Sequence, residues 1–388
     1  MGKTPSTIFD FLSSDALHIY LLVAVFALLL VQLALYLGLY GRIGRFRLMS
    51  KKAIREEEPE VSVIVPLFME DSNYLDTTLV KLLTQDYAKF EVVLVYVGHS
   101  EGFFNEIKAL ANLYPHLSPK QIIPSPRYPI SNKIALNLGV KGAKYDFVVI
   151  TSYDAEPSSE RWLSLLAKGF IYGDIVLGYS GIKPTSGFTN FLFREYQINK
   201  SLAWISAAIR NRTYAGSRNA LGFKKSLYFD FDYRGFGYLD KNVGEDDLFV
   251  QKIATRDNVS VVLSPRAMSV EKTWGGFKWW LQRIALLRTT HHFYPRGVFG
   301  VVTAELIMRT IFFLAAIAAM IMLPWKFMLG VLAMMLVRYL IVLFVFSRNA
   351  NRLGERGLAS RHIIYDIIEP AFRLFVAMTP SKQKNIWN

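Results

Sequence analysis

The stretch "VSVIVPLFMEDSNYLDTTLVKLLTQDYAKFEVVLVYV", residues 61–97, decides the fold. Its ends, "VSVIVP" at 61–66 and "FEVVLVYV" at 90–97, are short apolar runs rich in β-branched residues, the pattern of strands buried on both faces. Between them Leu75, Leu79, Leu82 and Leu83 recur at helical spacing. Strand, helix and strand in this rhythm predict a parallel, doubly wound α/β sheet. Two further strands are expected in "DFVVITS" (146–152) and "VSVVLSP" (259–265), which gives a soluble α/β domain over about 56–270.

Outward from that domain the composition changes. Residues 17–40 carry no Lys, Arg, Asp or Glu, and about 20 apolar residues suffice for a helix to cross a bilayer. A cleaved signal peptide fits less well, because the apolar run is long and no basic segment precedes it. Residues 301–323 and 326–346 are two more such runs, split by "LPW" at 323–325. Arginines and lysines follow the first run (Arg42, Arg45, Arg47, Lys51, Lys52, Arg55) and the last (Arg348, Arg352, Arg356, Arg361). The positive-inside rule then predicts a cytoplasmic α/β domain and an N-terminus outside, in a plasma or inner membrane. The expected organisation is an anchor and basic linker over 1–55, the α/β domain over 56–270, interfacial helices over 271–299, a transmembrane hairpin over 300–347, and a basic, amphipathic tail over 348–388. That tail, "IIYDIIEPAFRLFVAM", is expected to lie on the membrane surface. Glu305, Arg309 and Arg338 fall inside the apolar runs, and Glu305 and Arg309 are spaced to pair with each other.

Of the 388 residues 52% are hydrophobic, and the net charge of +14 clusters beside the apolar runs, which points to an anionic membrane surface and away from nucleic acid. The chain has no cysteine, which excludes disulfides, zinc-thiolate sites and a thiol nucleophile. No residue pattern identifies a protein partner.

Ligands of open α/β sheets bind beyond the carboxyl ends of the strands, so the loops there carry the chemistry. They hold Pro66-Leu67-Phe68-Met69-Glu70, "GHSEG" after the second strand, and "SYDAEP" after the third. Further along come "LLTQDY" (82–87), "NKIALNLGVKGA" (132–143), Pro157 with Trp162 and Leu163, "GSRNA" (216–220), "GEDDLFVQKIA" (244–254) and "WWLQRIAL" (279–286). In order and spacing this series resembles the family 2 glycosyltransferases, membrane-anchored inverting enzymes of the GT-A fold, over about residues 59–290. The resemblance implies a mixed α/β sheet, a nucleotide-sugar donor and a divalent cation, Mg²⁺ or Mn²⁺.

A departing diphosphate needs a divalent cation or fixed positive charge. Asp154 is the remaining acid of the family's Asp-x-Asp loop, Ser152 standing in place of the first, and Glu156 is the candidate second ligand. The alternative is a turn with an acidic lip. An acceptor hydroxyl needs a base, and the resemblance assigns Asp246, with Glu245 as second choice; acids at a helix start are the structural alternative. Pro66, Phe68, Glu70, Lys133, Arg218, Asn219, Asp247, Gln282 and Arg283 are the expected donor and substrate contacts, with Lys224 a second candidate for phosphate; for the cations, a solvated surface position is the alternative. Trp274, Trp279 and Trp280 place the helix of Gln282 at the membrane interface.

Three positions depart from the family pattern. Val97 replaces a nucleotide-binding Asp, Ser152 replaces a metal-loop Asp, and the Gln-x-x-Arg-Trp motif keeps its Gln282 alone, with Arg288 one turn later as a substitute. The expected activity is transfer of a single sugar from a nucleotide-sugar to a lipid or lipid-linked acceptor at the cytoplasmic membrane face. The alternative is a catalytically degenerate relative that binds or scaffolds.

Overall fold

The computed structural model describes residues 15–125, 130–230, 243–272 and 275–380; Trp274 lies outside them. The chain opens with helix α1 (Asp15–Tyr40), followed by strands β1 (Val61–Leu67) and β2 (Phe90–Val97), joined by an irregular helix over 72–83 that contains a π turn at Leu75–Leu79. Then come α2 (Glu101–Leu113), β3 (Leu117–Ile122), α3 (Asn132–Gly142), β4 (Phe147–Ile150), β5 (Ala155–Pro157) and α4 (Trp162–Gly169). They are followed by β6 (Ile175–Leu177), β7 (Ser180–Ile182), α5 (Phe188–Ile209), β8 (Leu221–Lys224), α6 (Leu248–Ile253), β9 (Val259–Val261) and β10 (Ser269–Glu271). Four helices end the chain: α7 (Phe277–Leu287), α8 (Arg296–Met322), α9 (Trp325–Arg352) and α10 (His362–Met378).

Seven strands form one sheet in the order β3-β2-β1-β4-β8-β6-β9. It is mixed: β8 runs antiparallel to both β4 and β6, and the other pairings are parallel. Alternation along each strand splits the apolar side chains between two layers. Ile64, Val93 and Val95 pack with α3 and α5, while Val63, Val65, Val92 and Leu94 pack with the 72–83 helix, α2 and α4. This is why the strands read as continuous apolar runs. Pro66 costs no ladder bond to β4, because that pairing stops at Ile64 and Ile150.

A second, three-stranded sheet, β5-β10-β7, forms beside the carboxyl end of β4. Its register sets Glu271 opposite Ala155, and the Lys272 amide donates to the Asp154 carbonyl at 2.7 Å. A residue distant in sequence is thereby tied to the loop after β4.

Three helices are long and apolar enough to cross a membrane, over Ala16–Arg45, Arg296–Met322 and Trp325–Arg352. α1 packs on α8 and α9 through Val25, Leu29, Leu33, Phe312, Ala316 and Val331. Glu305, Arg309 and Arg338, the charges deep in these helices, are buried and paired. Glu305 lies 3.5 Å from Arg309 as its spacing predicts, but the closer partners of Arg309 are Asp366 and Glu369 of α10, each at 2.8 Å. Arg338, fully buried, meets Asp366 at 2.6 Å and Gln32 of α1 at 3.1 Å. Burial raises the Asp366 carboxyl, but the guanidiniums of Arg309 and Arg338 outweigh it and hold the group well below the usual carboxylate range. One face of α10 thus docks on the spanning helices, while Ile364, Ile367, Leu374 and Phe375 remain exposed on it.

Candidate active site

The loop after β4 meets the 216–220 loop through Asp154 and Arg218, and the 216–220 loop meets the 244–247 loop through Gly216 and Asp246. A cleft there is lined by Lys200 and Trp204 of α5, Arg218, Asn219, Asp246 and Glu271, and by Trp280, Arg283 and Ile284 of α7, with His291 beyond.

Asp154 lies buried behind the Arg218 side of the cleft. A turn at 153–154 buries its side chain completely, and Ser152, the residue replacing the family's first acid, donates its hydroxyl to Oδ1. Oδ2 is buried with no hydrogen-bond partner, and the nearest cation, the Arg218 guanidinium, stands 3.6 Å away. Arg218 therefore offsets its charge without a hydrogen bond, and a carboxylate oxygen of this kind suits a hard cation. The turn ends the strand alternation between residues 154 and 156, so Glu156 does not join Asp154. Its carboxylate lies 3.2 Å from Lys81 of the 72–83 helix. The expectation that Glu156 is the second metal ligand is corrected accordingly.

The second acid beside Asp154 is Glu271. It accepts from Asn219 Nδ2 at 3.1 Å, and its other oxygen pairs with Arg283. Burial raises the Glu271 carboxyl, Arg283 lowers it and Asp154 raises it, with a net upward shift. For Arg218, burial lowers the guanidinium, but Asp154, Glu271, Glu245 and Asp246 carry it upward overall. Two acids and two guanidiniums therefore alternate along this wall, and Asn219 ties Glu271 to Ser180 of β7. Among the described residues no group of three or more His, Cys, Asp or Glu could by itself hold a metal ion. Asp154 with diphosphate oxygens and water suits Mg²⁺ or Mn²⁺, which bind through one or two carboxylates plus substrate phosphates.

The opposite wall is the 244–247 loop. Gly244 adopts φ 118°, a backbone that side-chain-bearing residues rarely take, and its carbonyl accepts from the Phe249 amide. The three acids that follow have separate roles. Glu245 is buried and accepts from Asn132 Nδ2 at 2.7 Å, at the start of α3 beside buried Lys133. Asp247 caps the Leu248 amide and accepts from Thr290 and from the Tyr294 hydroxyl at 2.8 Å. Its expected substrate contact gives way to this buried anchoring. Asp246 is the acid that faces the cleft, and its carbonyl accepts from Gly216 at 2.9 Å, which ties the base loop to the 216–220 loop. Burial, and next the charge of Asp247, push its carboxyl above the ordinary aspartate value. Such a shift moves a general base toward neutral pH. His291 is driven down to about 3, by burial first and then by Lys200, Arg373 and Arg288, so it stays neutral.

The remaining expectations sort by register. Glu70 accepts from the Tyr96 hydroxyl at 2.5 Å at the end of β2, beside the position where Val97 replaces an acid. Phe68 is half-buried against the core, and Pro66 is buried within β1. Lys224 pairs with Phe147, at the strand end opposite the cleft, and so does not reach it. Gln282 has a buried Oε1 without a hydrogen-bond partner, while its neighbour Arg283 lines the cleft. Arg288 donates instead to the Val376 and Thr379 carbonyls at the end of α10, so it does not replace the missing Arg of the Gln-x-x-Arg-Trp motif. Sequence reasoning missed Glu271; its one signal is an acid at a strand end just before the tryptophan-rich helix.

The described chain is thus a mixed α/β sheet with acids and guanidiniums gathered at its carboxyl edge. The profile of glycosyl transferase family 21 matches residues 19–160. The poly-beta-1,6-N-acetyl-D-glucosamine synthase of Staphylococcus aureus is 23% identical over 273 residues, 67% of this chain and 62% of its own length. The chain thus spans less than two thirds of the curated relatives it matches. A solved structure, the mannosyltransferase PcManGT from Pyrobaculum calidifontis in complex with GDP-Man and Mn²⁺, superposes with a TM-score of 0.51 at 19% identity, covering 90% of this chain and 99% of that one. The chain shares the fold of that solved structure, and residues 19–160 are similar to glycosyl transferase family 21. The motifs resemble family 2, and the profile that matches residues 19–160 is that of family 21.

Proposed function

We propose that the protein is an inverting glycosyltransferase. It moves a single sugar from a nucleotide-sugar donor to a lipid or lipid-linked acceptor at the cytoplasmic membrane face. The observation that carries this reading is the cleft itself, with the Oδ2 of Asp154 near one wall and Asp246 on the other, and Arg218 between them.

In this reading Asp246 accepts the proton of the acceptor hydroxyl as that oxygen attacks the sugar, a single displacement with inversion. Arg218 places fixed positive charge where the diphosphate departs, at low dielectric and without reorganisation. Glu271 orients Arg283 along the same wall, and Glu245 steadies the start of α3. A divalent cation held by Asp154 would supply further charge to the leaving diphosphate. The acceptor side of the cleft is Trp204, Trp280, Ile284 and Leu287, an apolar lining suited to the lipid-proximal part of an acceptor. Transfer of one sugar is favoured over chain growth. What supports this is that the spanning helices pack on one another through an apolar core and a paired ionic cluster.

The test is transfer by protein reconstituted in bilayers with lipid extract, Mn²⁺ and GDP- or UDP-sugars, the donor class of the matched mannosyltransferase included. Transfer of single sugars, lost in Asp246→Asn, supports the reading; no transfer or hydrolysis with any donor counts against it. The rival reading, a degenerate binding subunit, draws on the closed Glu271–Arg283 pair and the lone metal-loop acid. It predicts no metal-dependent binding of nucleoside diphosphate.

A further inference from the structure

A second concave site, sharing no lining residue with the cleft, lies where α1 and α9 leave the apolar zone. It is a groove of about 530 Å³, within the size range of ligand pockets. Its walls are apolar and exposed: Leu37 at 42%, Leu340 at 59% and Phe344 at 65%. Its end carries Arg42, Arg45 and Arg348, and a neighbouring depression shares Leu340, Phe344 and Arg348 with it. We propose that this groove binds an anionic membrane phospholipid, with the phosphate on Arg42, Arg45 and Arg348 and an acyl chain along Leu37, Leu340 and Phe344.

The charge argument rests on contrast within one helix. Arg338 of α9 is neutralised by Asp366, whereas the ion pairs of the described residues include none with Arg42, Arg45 or Arg348. Arg348 is nonetheless held in place. Its Nε donates to the Gly44 carbonyl at 3.2 Å, and a Cβ at Gly44 would fall 2.6 Å from Arg348 Cγ, so only glycine lets the side chain lie there. Nearby, Arg210 reaches the Leu39 carbonyl, and its guanidinium is shifted down by burial, then by Arg42 and Arg212. A crowd of like charges at the headgroup level, beside an apolar trough, is relieved by a phosphodiester whose tail fills the trough. Diffuse surface attraction would need the charges and not the trough.

The experiment is native mass spectrometry of the full chain in detergent, titrated with phosphatidylglycerol or phosphatidylcholine. The wild type is expected to retain phosphatidylglycerol in preference. Arg45→Gln with Arg348→Gln lowers that retention roughly 30-fold, since each cation near an anionic headgroup contributes about 1 kcal/mol. Gly44→Ala, which keeps every charge but displaces Arg348, lowers it less, and Leu340→Trp, which fills the trough, lowers retention of both lipids. Melting temperatures close to wild type certify the folding of each variant. Equal retention of the two lipids, unchanged binding in the variants, an equal loss in Arg361→Gln, which is not among the groove's lining residues, or complete displacement by inorganic phosphate would each overturn the proposal.

Discussion

Two of the places where arginines meet buried carboxylates among the described residues are built on opposite plans. In the membrane-spanning helices Arg309 and Arg338 are enclosed by Glu305, Asp366 and Glu369, with Gln32 bonded to both Glu305 and Arg338. In the cleft, Arg218 stands 3.6 Å from Asp154, whose Oδ2 has no hydrogen bond, and Asp246 faces open space. A closed network holds helices together; an open one keeps an oxygen without a hydrogen bond available to a ligand. Since both use the same residue types, the difference lies in satisfaction.

Four predictions bear on that contrast. The largest effect belongs to the base. Asp246→Asn removes the proton acceptor and lowers transfer by about 10²–10⁴-fold with an unchanged melting temperature. If the variant unfolds instead, the cleft is as closed as the membrane cluster and the contrast fails. Next, Asp366→Asn strips the closed network of its central anion. Breaking a buried pair from one side costs about 3–5 kcal/mol, read as a fall in unfolding midpoint, and replacing Arg338 by Met in the same chain should restore part of it. A smaller, more selective effect separates the two glutamates. Glu271→Gln weakens donor binding by releasing Arg283, whereas Glu156→Gln, which loses only a contact to exposed Lys81, leaves binding within about twofold. An equal effect of the two would put Glu156 back beside Asp154. The smallest effect is a displaced pH limb. Because burial and Asp247 raise the Asp246 carboxyl, the base is charged above its raised pKa and protonated below it. Transfer rate is therefore full at higher pH and falls, as pH drops, at a value above the ordinary aspartate range. Neutral His291 does not contribute to that limb.

How much of this was legible in the sequence depended on how local the cause was. β1, β2 and the spanning helices are written in runs of neighbouring residues, and they form where the runs lie. Asp246 was reached through the resemblance, which assigns the base to the acidic run at 244–247, and the structure sets that residue at the cleft. β8 was not, because four residues containing a glycine carry little strand signal, and its antiparallel insertion between β4 and β6 is decided by the sheet. That same register removes Lys224 from the site. Glu271 was invisible because the small sheet, and no local pattern, brings it opposite Ala155. The tail was read as an amphipathic surface helix; its exposed apolar face keeps that character. Its buried Asp366 and Glu369 answer arginines on α8 and α9, a match that needs tertiary packing to appear.

The central claim is that Asp154 serves the diphosphate side of the cleft and Asp246 the acceptor side. Calorimetric titration of the full chain with GDP and UDP, with and without Mn²⁺, tests it when run on wild type, Asp154→Asn and Asp246→Asn. The account predicts Mn²⁺-dependent binding in the wild type, its loss in Asp154→Asn and its retention in Asp246→Asn. Binding that ignores Mn²⁺ and survives Asp154→Asn would contradict it.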